Sequence, residues 1–200
     1  MRKIILSIVV LAMMFGSGCS RQELECDVCV YGGTSAGVIA AYAVAQQGKR
    51  VLLIEPGYRL GGMSSGGLGQ TDIGNKQVVK GLSLDFYRRV GAHYDALEHW
   101  IFEPSVAEKV FNDYIERGNV EVLYGHRILD AKKDDTHITS IKLENTAKMC
   151  GRTDIKAKVF IDCSYEGDLM ARSGVEYVVG REPNSKYNET WNGVQMLQNH

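Results

Sequence analysis

An α/β fold built around a parallel sheet is predicted by three observations. Val28–Tyr31 is a short apolar run that stops at a glycine turn. A helical segment and a second apolar run, Val51–Ile54, follow at once. Further on, helical patterns give way to short strand patterns joined by polar turns. A continuous apolar run bounded by turn signals is what a strand buried on both faces requires. A strand, a helix and a strand in quick succession make a parallel crossover unit.

The first unit runs Asp27-Val-Cys-Val-Tyr-Gly-Gly-Thr-Ser-Ala-Gly37 and then Lys49-Arg-Val-Leu-Leu-Ile-Glu55. Gly32 and Gly33 let the chain leave the strand sharply. A helix is expected from about Ser35 to Gln47, with Gly37 packed closely. Its N-terminus, with Thr34, Ser35 and Ala36, presents free N–H groups and a positive dipole end to an anion. Glu55 stands roughly 20 residues on, where a carboxylate accepts hydrogen bonds from ribose hydroxyls. Together these form a Rossmann-like dinucleotide-binding unit. Thr34 departs from the ideal pattern, which has glycine there. Its side chain either shifts the phosphate or offers it a hydroxyl.

The segment after Glu55 bears on which dinucleotide is bound. Pro56-Gly-Tyr-Arg-Leu-Gly-Gly-Met-Ser-Ser-Gly-Gly-Leu-Gly69 places a second glycine pair, Gly61-Gly62, soon after the carboxylate. That placement is typical of FAD domains of the glutathione-reductase type. Small residues allow the backbone near the cofactor, and Ser64 and Ser65 can donate to its oxygens. Gln70–Gly81 reads as irregular. Leu82–Leu97 is helical, with Leu82, Phe86 and Val90 on one face. Pro104 begins another helix whose stripe is Val106, Val110, Phe111, Tyr114 and Ile115, ended by Gly118. Strands are expected at Val120–Tyr124, Ile128–Ala131, Ile138–Leu143 and Ile155–Phe160, the middle ones as a small antiparallel meander serving as a crossover. Val159–Asp162 closes the sheet as a buried strand. It leads into the turn Cys163-Ser-Tyr-Glu-Gly-Asp168 and a short helix, Leu169–Ser173.

Composition narrows the class. The chain has 200 residues and a net charge of −1, so nothing electrostatic favours a nucleic-acid partner. Five histidines show no metal-ligand spacing, and no metal is expected. Twelve of the 22 glycines fall between Gly32 and Gly81, where backbone must pass close to something. Cys26 and Cys29 lead into a strand, not a helix N-terminus, so they lack the setting of a redox pair. Three apart on a strand, they should face opposite sides, with Cys29 in the core.

Residues 1–19 read as a targeting segment. Arg2 and Lys3 precede the apolar run Ile4–Phe15, too short to span a bilayer comfortably. Gly16-Ser-Gly-Cys19 then sets small residues before a cysteine. This resembles a bacterial lipoprotein signal with Cys19 as the lipidated residue. The alternative is a plain secretory signal cleaved nearby. Residues 20–26 read as a short linker. Location in the bacterial cell envelope, held to the membrane through a lipid anchor alone, follows.

The chain resembles the FAD-dependent oxidoreductase family, in its secreted bacterial branch. The resemblance rests on Val30-Tyr-Gly-Gly-Thr-Ser-Ala-Gly37, Leu60–Gly69, Glu103-Pro-Ser-Val-Ala-Glu108, Tyr165-Glu-Gly-Asp168 and Gly180-Arg-Glu182. It implies that Gly32–Gly37 and Glu55 hold the ADP half of FAD. Gly61, Gly62 and Met63 would lie along the pyrophosphate toward the flavin, beside the donor Ser64. Ile128 would bring backbone to the adenine, and Cys163, Ser164 and Tyr165 would form a small turn beside the cofactor. Thr34 is ordinary for the family.

The implied activity is flavin-mediated hydride transfer on a small-molecule substrate. Residues 27–180 would form a cofactor domain that is incomplete in this chain, and 181–200 the start of a substrate region. Family members are longer, so the chain is expected to be an N-terminal portion, inactive alone. The alternatives are an NAD(P)-binding protein and a non-catalytic surface lipoprotein that keeps the fold. Tyr165, Glu166, Asp168 and Arg181 are the polar groups near the expected flavin edge. Each has an equal structural reading, Asp168 as a helix N-cap among them. No catalytic residue is assigned.

Overall fold

The computed structural model describes residues 21–148 and 151–193. The targeting segment with Cys19, and also Cys150 and residues 194–200, lie outside these.

The elements run β1 (Arg21–Tyr31), α1 (Ser35–Gln46), β2 (Val51–Glu55), α2 (Met63–Gly66), α3 (Gly81–Gly91), α4 (Pro104–Gly118), β3 (Glu121–Tyr124), β4 (His126–Asp134), β5 (His137–Asn145), β6 (Arg152–Asp162), α5 (Asp168–Arg172) and α6 (Asn184–Tyr187). The strands form one sheet in the order β3-β2-β1-β6-β5-β4. From β3 to β6 all pairs are parallel, and β5 runs antiparallel to both β6 and β4. The expected α/β class, parallel sheet and antiparallel crossover are all present.

Two cores flank the parallel strands. Val30, Leu53, Val38, Phe86, Phe111 and Tyr114 unite α1, α3 and α4 with one face. Cys29, Ile54, Ile141, Leu143 and Ile155 pack the meander strands on the other. The parallel strands are therefore covered on both sides, which is why their sequences are apolar without alternation.

Three expectations need correction. Residues 21–26 are strand and not linker. They pair in parallel with Arg152–Ala157 of β6. Ion pairs Glu23–Lys156 (2.5 Å) and Asp27–Lys158 (2.8 Å) sit along that seam. The second correction concerns Cys26 and Cys29, which share one core instead of facing opposite sides. The N–H groups of Asp27 and Val28 both donate to the Arg50 carbonyl, at 2.9 and 3.2 Å. Two donors on one carbonyl mark a bulge-like break, which inverts the side-chain alternation. Burial pushes the Cys26 thiol up to about 11 and the Cys29 thiol higher, so both stay protonated. Third, the two strands expected at 155–160 and 159–162 are one, β6, and Val159 is exposed, not buried.

The helices α3 and α4 are locked by a charge network. Arg89 bonds Asp85 (2.7 Å) and Asp113 (2.5 Å), and the Tyr114 hydroxyl donates to Asp85 (2.6 Å). Burial pushes the Asp85 carboxyl up. The Tyr114 hydroxyl and the Arg89 guanidinium outweigh that and hold it below the ordinary value. The αL position after α4 belongs to Asn119 (φ 48°), one past the expected Gly118. No helix among the described residues is long and apolar enough to cross a membrane.

Candidate functional site

Three chain segments meet at the carboxyl ends of β1, β2 and β6. The first is the Gly32–Thr34 turn between β1 and α1. The second is the Leu60–Gly69 loop after β2, and the third is the Cys163–Gly167 turn after β6. The carboxyl end of a parallel sheet, where connections diverge, is where such folds bind ligands.

Close approach explains the glycines. A Cβ on Gly37 would lie 1.8 Å from the Gly32 carbonyl oxygen. Its close packing is therefore against the turn itself, not only against the sheet. Gly32, at φ +100°, presses on the Cys163–Ser164 peptide, where a Cβ would meet three backbone atoms at 2.8 Å. The first and third turns are thus in contact through backbone.

Side chains complete the assembly. Thr34 caps α1: its hydroxyl accepts from the Gly37 N–H (3.2 Å) and donates to the Cys163 carbonyl (2.8 Å). This resolves the departure from glycine at 34, because the hydroxyl joins two turns. The Ser35 hydroxyl donates to the Gly61 carbonyl (2.9 Å) and shares a hydrogen bond with Ser64 (2.9 Å). The Gly61 N–H donates to the Gly33 carbonyl (2.8 Å). Glu55 closes the end of β2. One of its oxygens accepts from the Gly33 N–H (2.8 Å) and the other from the Gly57 N–H (2.6 Å).

The third turn is held by Asp162. Its carboxylate accepts from the Ser164 N–H (3.0 Å), the Ser164 hydroxyl (2.7 Å) and the Met170 N–H (2.8 Å). Ser164 accepts in turn from the Asp168 N–H (2.8 Å). Asp168 is thus the first residue of α5 and not its cap; the N-cap is Gly167. Asp162 was not among the expected site residues. An aspartate at a strand end two residues before a serine is a local turn signal that could have marked it. Burial, reinforced by Asp162, pushes the Cys163 thiol up, so it offers no reactive thiolate.

The remaining candidates are placed as follows. The exposed Ala36 and half-buried Ser35 lie in the first turn of α1, which carries no acidic residue. The first turn itself adds no like charge against an anion, and the nearest carboxylate described is Glu55, held on the Gly33 N–H. Met63 begins α2 and is half exposed. Ile128 lies buried in the meander core, and its N–H donates to the Tyr31 hydroxyl (3.1 Å). That N–H is committed within the fold. Tyr165 reaches the Met63 N–H (2.6 Å), while Arg181 donates to the Gly193 carbonyl (3.0 Å) in the C-terminal segment. Glu166 is exposed.

A cavity of about 230 Å³ opens beside the α1 N-terminus, between Ser35, Ser64, Ser83, Phe86 and Phe111. A larger recess of about 680 Å³ lies at the opposite end of the sheet, around Lys49, Arg50 and Asn119. The smaller one belongs to the site, because it adjoins the turns. No group of His, Cys, Asp and Glu side chains among the described residues could hold a metal ion.

Glycine-walled turns, a helix N-terminus free of acids and a carboxylate at the end of β2 define a dinucleotide-binding α/β protein. The chain belongs to the FAD dependent oxidoreductase family, whose model matches residues 27–200. FAD is accordingly its cofactor, and the cradle described above fits it.

Solved structures share the fold. The myxobacterial chondrochloren halogenase, a FAD-dependent halogenase, is 17% identical with a TM-score of 0.55, covering 70% of this chain and 37% of that one. THI4 from Thermovibrio ammonificans is 19% identical, TM-score 0.55, covering 92% and 75%. A flavoprotein/dehydrogenase from Cytophaga hutchinsonii is 20% identical, TM-score 0.58, covering 78% and 44%. The chain thus spans less than half the length of two of the three. No curated protein matches the chain significantly.

Proposed function

We propose that this chain is the cofactor-binding part of an exported, lipid-anchored flavin oxidoreductase of the glutathione-reductase type. It would act by hydride transfer on a small-molecule substrate. The observation that carries the reading is the convergence of the three turns on one glycine-walled cradle closed by Glu55. When bound, the flavin supplies the two-electron chemistry. The chain's own residues bind and orient. The α1 N-terminus with Ser35 and Ala36 receives the diphosphate, and Glu55 takes the ribose hydroxyls. Backbone at Gly61–Ser64 and at Cys163–Ser164 lines the path toward the flavin. Aromatic Phe86 and Phe111 line the adjoining cavity.

Thermal melts of the full chain with FAD, NAD+ or NADP+ test this. A ligand that binds only the native form raises the melting temperature. FAD alone is expected to do so. A rise with a nicotinamide dinucleotide and none with FAD would overturn the reading.

Export and anchoring rest on Arg2, Lys3, the apolar run Ile4–Phe15 and the small residues before Cys19. Expressed in a bacterial host, the protein should label with a fatty-acid probe, and Cys19→Ser should abolish the label. Labelling that survives the substitution excludes Cys19 as the anchor.

A further inference from the structure

The three turns of the cradle are joined pairwise by side chains. Thr34 joins the first to the third through the Cys163 carbonyl. Ser35 joins the first to the second through Gly61 and Ser64. The second and third are joined by Tyr165, whose hydroxyl accepts from the Met63 N–H at 2.6 Å across 102 residues of sequence.

Met63 is the first residue of α2, and the residue before it, Gly62, offers no side-chain cap. The first N–H groups of any helix have no partner within the helix. Tyr165 supplies one from another part of the chain. Gly62 is what admits it: φ is +55°, and a Cβ there would lie 2.1 Å from the Tyr165 hydroxyl oxygen. The phenol therefore lies directly on the backbone of the second loop.

Tyr165 differs from an ordinary core tyrosine. It is 56% exposed and belongs to neither hydrophobic core. The turn that carries it is already fixed by Asp162, through Ser164 and Met170. Fold stability thus owes little to this side chain, while the position of the Gly62–Met63 peptide owes it a hydrogen bond.

We propose that Tyr165 is a positioning residue, a latch that holds the Gly61–Ser64 loop in the shape that receives FAD. The proposal rests on the assignment of this loop to the cofactor path. The hydroxyl acts on the loop backbone and needs no part in the redox chemistry. Loss of the hydroxyl frees the Met63 N–H and lets the second loop move away from the third turn, so FAD leaves faster.

The test compares the full chain with Tyr165→Phe, which keeps the ring and removes the hydroxyl, and Tyr165→Leu, which removes both. Amide hydrogen exchange at Met63 is measured without FAD, and FAD affinity is read from the quenching of flavin fluorescence. In the Phe variant Met63 should exchange faster, with the melting temperature nearly unchanged. FAD binding should weaken roughly two- to tenfold, the effect of one neutral hydrogen bond. The Leu variant should weaken it at least as much. Wild-type exchange at Met63 in the Phe variant overturns the latch. Faster exchange with unchanged FAD affinity overturns its role toward the cofactor. A wild-type chain that takes up no FAD defeats the cofactor assignment, and the exchange result still decides whether the hydrogen bond holds the loop.

Discussion

Replacing Glu55 by alanine is expected to weaken FAD binding by about 1.5–3 kcal/mol, the usual worth of hydrogen bonds to a charged acceptor. That is a factor of roughly 10–150 in affinity. The carboxylate has two parts to play. It orients the first turn and the Pro56–Gly57 bend through the Gly33 and Gly57 N–H groups. In the proposed reading each oxygen, while holding its backbone N–H, also accepts from a ribose hydroxyl, since a carboxylate oxygen has more than one lone pair. Alanine removes both. Glu55→Gln separates them, because an amide oxygen still accepts one backbone N–H while the charge is gone. Fluorescence titration of FAD into the three proteins gives the ranking, with glutamine expected between the other two. Equal affinities for glutamate and alanine would remove Glu55 from the site.

Gly37→Ala should have the largest effect on folding. The new Cβ would stand 1.8 Å from the Gly32 carbonyl oxygen, and that carbon also would lie 3.0 Å away. Backbone cannot yield as a side-chain tip does, so α1 must tilt or the turn must open. A cost of about 3 kcal/mol is at the upper end for overpacking. For a chain of this size it corresponds to a fall in melting temperature of roughly 6–12 °C. Gly66→Ala is the matched control, since a Cβ there meets nothing within 4 Å. It should melt within about 2 °C of wild type, as surface changes do. A Gly37→Ala protein that melts like wild type would mean that the turn adapts.

What could be read from sequence was local. Gly32, Gly33, Gly37 and Glu55 announce a strand–turn–helix–strand unit because their roles depend on neighbours within one crossover. The stripes Phe86–Val90 and Val106–Tyr114 are read correctly for the same reason. What escaped was set by distant partners. Residues 20–26 include Arg21, Glu23 and Glu25 and read as a linker, and only β6 turns residues 21–26 into strand. The switch of face at Asp27 depends on the Arg50 carbonyl. The fate of the Thr34 hydroxyl depends on Cys163, 129 residues on. The tie between Tyr165 and Met63 is equally invisible in either local segment.

The pairing of β1 also governs the order in which the protein can form. β1 finds β2 within one crossover, but its other neighbour is far away. Asp27 meets Lys158 across 131 residues. During synthesis at about 5–20 residues per second, the first strand waits several seconds or more for that partner. Until then its inner edge is an open template for any extended segment. Non-local closure of this kind slows folding, since the loop entropy must be overcome before the contacts form. The central strand is therefore the first made and the last completed, and a nascent chain leaves its β1 edge open until β6 arrives.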